Sequence, residues 1–372
     1  MLRGHIYCFF LENYSKLVGQ NLIQKLNPAT MSYKVTSTCL QFSFILTFLL
    51  FCRPASAQTD FGAVDQLLKQ NQKELGNNFV ALVWKDGKII YQKQGNADFT
   101  PKTQAPITAS GNWLTAALVM TFVDEGKLSL DDKVSQYLPI FSKYSKGYIT
   151  LRNCLTNTTG IRADGKNKFE SLEEQVNDYA SKRDIVANPG KEFHYSYVGP
   201  NIAARVLEVI SKKSFDRLIM ERIARPLKMR STTFVNDEGG AVNPAAGAKS
   251  SAMDYITFLS MLLNNGVFEG KRILSEKSVA EIEASQFGEI PVKYIPKGLQ
   301  GTHYGLGCYI TESSGAGASN ALTCPNMEGT LPFMDKCRGY AAILIIDKPV
   351  EEKKPLYQSL KNLLDQAIGG CK

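Results

Sequence analysis

The sequence predicts an α/β (α+β) fold in which strands from both ends of the chain form one antiparallel sheet around a helical insertion. Asp86-Gly87 lies between two short apolar runs, which is a strong hairpin signal. The apolar residues in the middle of the chain follow helical rather than alternating spacing. The strand-like runs fall in two regions, near the start and near the end of the chain: 79–84, 88–91, 304–311 and 339–346.

The central and C-terminal segments carry the helical patterns. The first pattern is apolar on nearly every face, which is typical of a buried helix. The last pattern places Leu356, Leu360 and Leu364 on one face, so this helix is expected to pack one side against the protein. No repeat or low-complexity linker interrupts residues 58–372, which are predicted to form one domain. The predicted helices are 113–123, 202–210, 215–223, 252–263 and 356–367.

Length and composition indicate a globular protein. The 372 residues are 44% hydrophobic and 21% charged, which excludes a disordered or collagen-like chain. The formal net charge is +8, but part of the excess lies in the first 57 residues and there are no basic runs. A surplus of this size without clustering argues against a nucleic-acid partner.

An export signal is predicted near the N-terminus. Residues 42–52 are uncharged but far shorter than the ~20 residues that span a bilayer. Lys34 precedes them, and Ala55-Ser56-Ala57 matches the small-x-small pattern that signal peptidases cleave. Residues 31–57 are therefore predicted to be a signal peptide, giving a periplasmic or extracellular protein without a stable membrane span after cleavage. Residues 1–30 fit poorly before such a leader and are predicted to be an upstream extension.

Five cysteines follow the predicted leader, so at least one thiol stays unpaired. Export places them in a compartment where disulfides persist. Cys324 and Cys337 flank a segment that would bring them onto adjacent strands if it formed a hairpin. A Cys324–Cys337 disulfide is predicted on that basis, and the alternative is two small buried apolar residues.

Metal and cofactor chemistry has no support in the sequence. After the leader there are two histidines, His194 and His303, and neither has metal-ligand spacing. The Gly-x-Ser-x-Gly elbow and the glycine-rich phosphate loop are both missing. No metal and no cofactor are expected.

Four segments, taken together and in order, are distinctive: 107–132, 149–160, 189–197 and 252–266. They resemble the motifs of serine β-lactamase-related proteins, the group of class C β-lactamases, DD-peptidases and esterases that share the penicillin-binding-protein fold. The resemblance covers about residues 65–370. It implies a β-lactamase/transpeptidase-like fold and the active site of a serine hydrolase.

The first motif of that group has lost its reactive side chains here. In the group, a nucleophilic serine opens a helix and a lysine follows three residues later, on the same helical face. The ammonium lowers the pKa of the hydroxyl and shuttles its proton. Aligned through residues 113–116, the serine position holds Ala109 and the lysine position holds Asn112. The resemblance therefore implies that nucleophile and activator are both missing.

Ser110 is the alternative nucleophile. A register slipped by one residue would place it at the serine position, but its i+3 partner would then be Trp113. The slip also rotates the side chain by about 100° around the helix axis. The competing interpretation is that Ser110 is the N-cap of the helix, a position that serine favours.

The second and third motifs are degenerate as well. The group has a tyrosine that takes part in proton transfer and an asparagine two residues later; Tyr195 is retained, and Tyr197 replaces the asparagine. Tyr195 is equally interpretable as a buried aromatic residue with a satisfied hydroxyl. The third motif is predicted at Asn326, Glu328 and Gly329, without a cation, and Glu328 would repel a ligand carboxylate. Part of the oxyanion hole is expected to persist despite these changes, because its donors are backbone N–H groups and do not depend on side-chain identity.

Three functions remain open from the sequence. The first is an exported pseudoenzyme whose cleft binds an amide, ester or peptide ligand or a partner protein. The second is an active serine hydrolase (esterase, amidase or β-lactamase-like) that uses Ser110 and Tyr195. The third is a structural scaffold whose cleft is filled by its own side chains. Loss of nucleophile and activator together favours the first.

Overall fold

The computed structural model describes residues 59–163, 168–236, 239–286, 288–313, 319–326, 329–347 and 354–371. The predicted leader and Glu328 lie outside the described residues. None of the helices within these ranges is long and apolar enough to cross a membrane.

The strands follow one another along the chain as β1 Phe79–Lys85, β2 Lys88–Gln94, β3 Ala105–Thr108, β4 Phe193–His194, β5 Ala248–Ser250, β6 Val267–Phe268, β7 Lys271–Arg272, β8 Val292–Tyr294, β9 His303–Tyr304, β10 Tyr309–Ser313, β11 Ser319–Thr323, β12 Thr330–Asp335 and β13 Tyr340–Ile346.

The helices are α1 Gly62–Gln70, α2 Gly111–Asp124, α3 Ile140–Lys143, α4 Leu151–Leu155, α5 Leu172–Ser181, α6 Val198–Ser211, α7 Phe215–Ile219, α8 Ala252–Leu263, α9 Glu276–Glu283 and α10 Lys354–Ile368. The predicted helix over 215–223 changes its winding part-way. Met220–Ala224 forms a π-helical turn, in which Arg225 N–H donates to the Met220 carbonyl five residues earlier.

One seven-stranded antiparallel sheet, in the order β2-β1-β13-β12-β11-β10-β9, forms the centre of the molecule. The N-terminal strand β1 pairs with the last strand, β13, with Phe79 opposite Ile346. The predicted α+β fold, with a sheet built from both chain ends and a helical insertion, is confirmed.

Both faces of the sheet are covered. Alternate residues of β1 point to opposite sides, as in any strand. Phe79 and Val83 belong to an apolar cluster with α1 and α10, whereas Val80 and Leu82 belong to the larger cluster with α8 and α2. The sheet is thus a middle layer with helices on both sides.

Helix α2 lies inside the larger cluster. Its residues from Gly111 to Phe122 are all buried, which confirms the predicted all-round apolar helix. The backbone at Gly307 packs closely against α2, and only glycine fits there. A Cβ at this position would lie 2.5 Å from the Asn112 carbonyl oxygen, which is too close for a real contact. Gly307 also has a positive φ of 72°, which favours glycine.

The predicted disulfide is wrong in its pairing. Cys337 is joined to Cys371, and Cys324 is a free buried thiol. The hairpin of β11 and β12 exists, but its register pairs Ala321 with Asp335. Cys324 and Cys337 therefore lie about five residues apart along the strands, on the order of 17 Å. Cys337 lies instead in the turn before β13, where the chain end after α10 reaches it.

Candidate active site

The candidate site lies at the start of α2. Thr108, the last residue of β3, has a left-handed backbone with φ 39°, which is unusual for a β-branched residue. Ser110 N–H then donates to the Ile107 carbonyl at 3.0 Å, and Asn112 N–H donates to the Ala109 carbonyl at 3.1 Å. This tight turn leaves Ala109 half-buried at the mouth of the helix.

Ser110 is turned into the protein. The residue is 0% exposed, and its Oγ has no hydrogen-bond partner among the described residues. Ser110 occupies the N-cap position of α2, but its side chain makes no capping bond. Its carbonyl accepts a hydrogen bond of 2.8 Å from the Tyr255 hydroxyl. The hydroxyl thus lacks both a proton acceptor and access from solvent.

Asn112 and Tyr195 meet at the site. The Asn112 side-chain amide donates to the Tyr195 phenol oxygen at 3.1 Å. Burial raises the pKa of the Tyr195 phenol well above its ordinary value, so the group stays protonated at neutral pH. The ring packs near Tyr309, with centroids 6.0 Å apart. Tyr195 in this setting is a hydrogen-bond partner rather than a proton acceptor.

Tyr197 does not join this pair. It is the N-cap residue of α6, and its side chain is 48% exposed at the rim of a cavity beside Tyr195. The structure therefore brings Asn112 to Tyr195, with Ala109 bonded to the Asn112 backbone, and places Tyr197 at the cavity rim.

The segment predicted to hold the third motif forms the connection between β11 and β12. Asn326 makes an isolated bridge with Thr330, and Gly329 N–H donates to the Asn326 carbonyl at 3.0 Å. Both contacts are made by the backbone. The side chain of the neighbouring Glu328 lies outside the described residues.

Cys324 is a site residue that the sequence reasoning missed. Its Sγ donates to the Ala109 carbonyl at 3.3 Å, and the residue is buried. Burial raises the pKa of the thiol to about 12, so it remains neutral and is no nucleophile at physiological pH. The predicted disulfide assigned Cys324 to another role, and β11, the strand that it follows, was not predicted from the sequence.

A cavity of about 440 Å³ opens beside Tyr195. Its lining combines aromatic and cationic side chains, among them Arg162, Arg183, His194, Tyr197 and Tyr294. We call it the arginine cavity. A larger cavity of about 680 Å³ lies elsewhere, at the C-terminal end of α2 around Asp124 and Glu125, and none of the candidate site residues lines it.

One cluster of acidic residues resembles a metal site by distance alone. Carboxylate oxygens of Glu312, Asp335 and Asp365 lie within 4.8 Å of one another. Lys361 binds all three carboxylates, at 3.2, 3.1 and 2.7 Å, and Arg338 lies 2.8 Å from Asp335. The cluster is therefore an ion-pair network that ties α10 to the sheet.

The start of α2 is surrounded by neutral hydrogen-bond donors. The amide of Asn112, the phenol of Tyr195 and the thiol of Cys324 are neutral polar groups around Ala109. Among the described residues, no hydroxyl at the start of α2 is both exposed and paired with a base. Neutral groups of this kind are suited to hydrogen-bonding a polar molecule.

Comparisons with known proteins agree with this architecture. A candidate beta-lactamase from Bacteroides dorei DSM 17855 superposes with a TM-score of 0.76 at 28% identity, covering 83% of this chain and 99% of that one. A penicillin-binding protein homolog from Caulobacter crescentus gives a TM-score of 0.69 at 15% identity, covering 82% and 97%, and shows the fold alone.

Curated relatives match over a shorter stretch. Protein flp of Staphylococcus aureus strain MW2 is 27% identical over 168 residues, which are 41% of this chain and 34% of that protein. The chain thus spans about a third of the length of the curated relatives it matches. The model of the Beta-lactamase family matches residues 64–363. With most of its length matched and its fold shared, the chain belongs to the Beta-lactamase family.

Proposed function

We propose that this protein is an exported, catalytically impaired member of the family whose cleft binds an amide, ester or peptide ligand without hydrolysing it. The observation that carries the proposal is the pair formed by Asn112 and Tyr195 next to Ala109. At the position where the family resemblance implies a lysine, the neutral amide of Asn112 donates to the protonated phenol of Tyr195. At the position where it implies a serine, Ala109 has only a methyl group.

The expected loss of catalytic rate supports the proposal that the protein does not hydrolyse its ligand. A positioned general base contributes about 10²- to 10⁴-fold to a rate. Nucleophile and activator act as a unit, so losing both leaves mainly what the binding site and backbone donors supply. Ser110 is a poor replacement, because its hydroxyl is buried and unpartnered.

Ligand binding is supported by the groups that remain. Asn112, Tyr195 and Cys324 present neutral polar atoms beside the mouth of α2, and the arginine cavity adjoins them. The name of the candidate beta-lactamase, which is 28% identical over 83% of this chain, suggests ligands with an amide-like acyl group.

Export is part of the proposal. It rests on the apolar run and cleavage pattern within residues 31–57. The Cys337–Cys371 disulfide supports it, because such bonds persist mainly in oxidising compartments. The mature protein isolated outside the cytoplasm should begin at Gln58, which N-terminal sequencing checks.

The catalytic part is tested with covalent probes and chromogenic substrates. Purified protein should not be labelled by a fluorescent penicillin or a fluorophosphonate, and it should hydrolyse neither a chromogenic cephalosporin nor a p-nitrophenyl ester above background. Turnover that disappears in Ser110→Ala would overturn the proposal in favour of a hydrolase using Ser110 and Tyr195.

A further inference from the structure

We propose that the arginine cavity is an anion-selective subsite that takes a ligand carrying a carboxylate next to an aromatic ring. An N-acylated aromatic amino acid or a short peptide ending in one has this chemistry. The inference rests on the proposed function, since it specifies the ligand of the same cleft. It is argued from the charges and rings that line the cavity.

The described residues that line the cavity carry charge of one sign. Arg162 and Arg183 are both among them, and none of these described residues has a carboxylate side chain. Asp178, which lies 2.6 Å from Arg183 Nε, is buried behind that arginine rather than in the cavity. Of the carboxylates that the structure describes, none forms a salt bridge with Arg162. An anion entering here would meet a guanidinium that forms no salt bridge with any described carboxylate.

The backbone of Arg162 is held in place. Its N–H donates to the Asp184 carbonyl at 3.2 Å, and the preceding Ile161 bridges to Ile185. Only the side chain has freedom to reach a ligand. Because Arg162 is exposed and Arg183 is engaged with Asp178, Arg162 is the group we expect to bind the carboxylate directly.

Two partly exposed aromatic residues lie at the rim. Tyr197 is 48% exposed and Tyr294 is 51% exposed, although both are large and largely apolar. Tyr294 is positioned by the ribbon of β4 and β8 and by the His194 ring, 5.5 Å away between centroids. Exposed aromatic surface beside a cavity, of which Tyr294 supplies the larger fraction, favours a ligand with a flat ring.

The subsite is continuous with the start of α2. Tyr195 lines the cavity, and its hydroxyl is bonded to Asn112, which lies one helical turn after Ala109. A ligand with its carboxylate at Arg162 and its ring at Tyr294 would therefore extend its acyl group towards Ala109. This order of groups is that of an N-acyl aromatic amino acid.

Calorimetric titration with three probes tests the proposal on the purified mature chain. N-acetyl-L-phenylalanine carries charge and ring, its primary amide carries the ring alone, and N-acetylglycine carries the charge alone. We expect the first to bind at least tenfold more tightly than either of the others. The preference for acid over amide should weaken as sodium chloride is raised.

Two variants assign the preference to the cavity. Arg162→Gln should remove the difference between acid and amide, whereas Lys271→Gln, at a cation lining the other cavity, should leave it unchanged. Arg183 is unsuitable for this purpose, because its loss would leave buried Asp178 with one partner fewer. Circular dichroism checks that both variants are folded.

Equal binding of acid and amide would overturn the inference, as would the absence of binding by all three probes at millimolar concentration. A preference that survives in Arg162→Gln would also overturn it. These outcomes are separate from the covalent-probe experiment. If the protein is not labelled and shows no acid preference, the proposed lack of catalysis stands and the proposed subsite is wrong. If the protein is labelled and does show an acid preference, the proposed lack of catalysis is wrong and the proposed subsite stands.

Discussion

The side-chain amide of Asn112 donates a hydrogen bond of 3.1 Å to the phenol oxygen of Tyr195. A neutral donor at this point cannot stabilise a phenolate as an ammonium would. The environment instead favours the protonated phenol, since burial raises the pKa of Tyr195. The contact between Asn112 and Tyr195 therefore joins two neutral groups at neutral pH.

Restoring the two reactive groups should restore covalent capture. Ala109→Ser with Asn112→Lys places a hydroxyl and an ammonium on one helical face, beside Tyr195. We expect a fluorophosphonate probe to label the double variant, while each single variant stays near background because the groups act as a unit. Adding Ser110→Ala should not reduce labelling. A folded double variant that remains unlabelled would contradict the assigned register.

Removing the Tyr195 hydroxyl should destabilise the protein. In Tyr195→Phe the Asn112 side-chain amide loses the phenol oxygen that accepts its hydrogen bond, while Asn112 stays buried. An unsatisfied buried donor costs about 1–3 kcal/mol in the free energy of unfolding. Tyr148→Phe, at a ring that is exposed, is the matched control and should change little. Urea unfolding of both variants measures this, and equal effects would argue against the buried hydrogen bond.

Loss of the Cys337–Cys371 disulfide should cost about 4 kcal/mol by the loop-closure model, since the bond joins residues 34 apart. The double variant Cys337→Ser with Cys371→Ser avoids a leftover thiol and should unfold at lower denaturant concentration. Reducing agent should shift the wild-type curve in the same direction and leave the variant unaffected. A non-reduced digest containing both thiols free would contradict the bond.

Gly307→Ala should disturb the start of α2. The added Cβ would lie 2.5 Å from the Asn112 carbonyl oxygen, so the turn before β10 or the helix must shift. Gly301→Ala is a close control, because Gly301 has a similar positive φ of 81° but open space around it. In both variants the left-handed backbone lowers the free energy of unfolding by about 1 kcal/mol. The clash should cost Gly307→Ala at least a further 1–2 kcal/mol in thermal or urea unfolding.

Acidification should weaken the contact between Glu125 and Arg222. The hydrogen-bonded Arg222 guanidinium lowers the pKa of the Glu125 carboxyl to about 2. A carboxyl with a lowered pKa stabilises the fold above its unfolded pKa, and that contribution disappears as the pH falls towards 2. Because Glu125 is largely exposed, we expect about 0.5–1 kcal/mol. The stability difference from Glu125→Gln should therefore be larger at pH 6 than at pH 3.

Local patterns predicted most of the fold, but distant contacts limited the rest. Helix α8 begins and ends where its apolar spacing predicted, because its own residues decide its buried face. Strand β12 was not predicted as a strand: it contains Pro332, and proline normally argues against a strand inside a sheet. The pairing of Cys337 with Cys371 depends on where the end of α10 packs in the fold, and no local sequence pattern predicts that.

The candidate site was predictable only through the resemblance. Spacing alone puts Ala109 and Asn112 on one helical face, but the approach of Tyr195 to Asn112 joins residues that are 83 positions apart. Cys324 reaches Ala109 over 215 positions. Such contacts are set by how the helical insertion packs on the sheet, and nothing in either segment's own sequence encodes the partner.

The pairing of Phe79 with Ile346 dictates when this protein is able to fold. β1 is synthesised well before β13, which is one of its two neighbours in the sheet. Until β13 is made, β1 has an unpaired edge that can bind other chains. Such long-range pairing raises contact order and slows folding. Any truncation that removes the last strand should therefore yield aggregates, and a chaperone that shields the early strand should increase the yield of native protein.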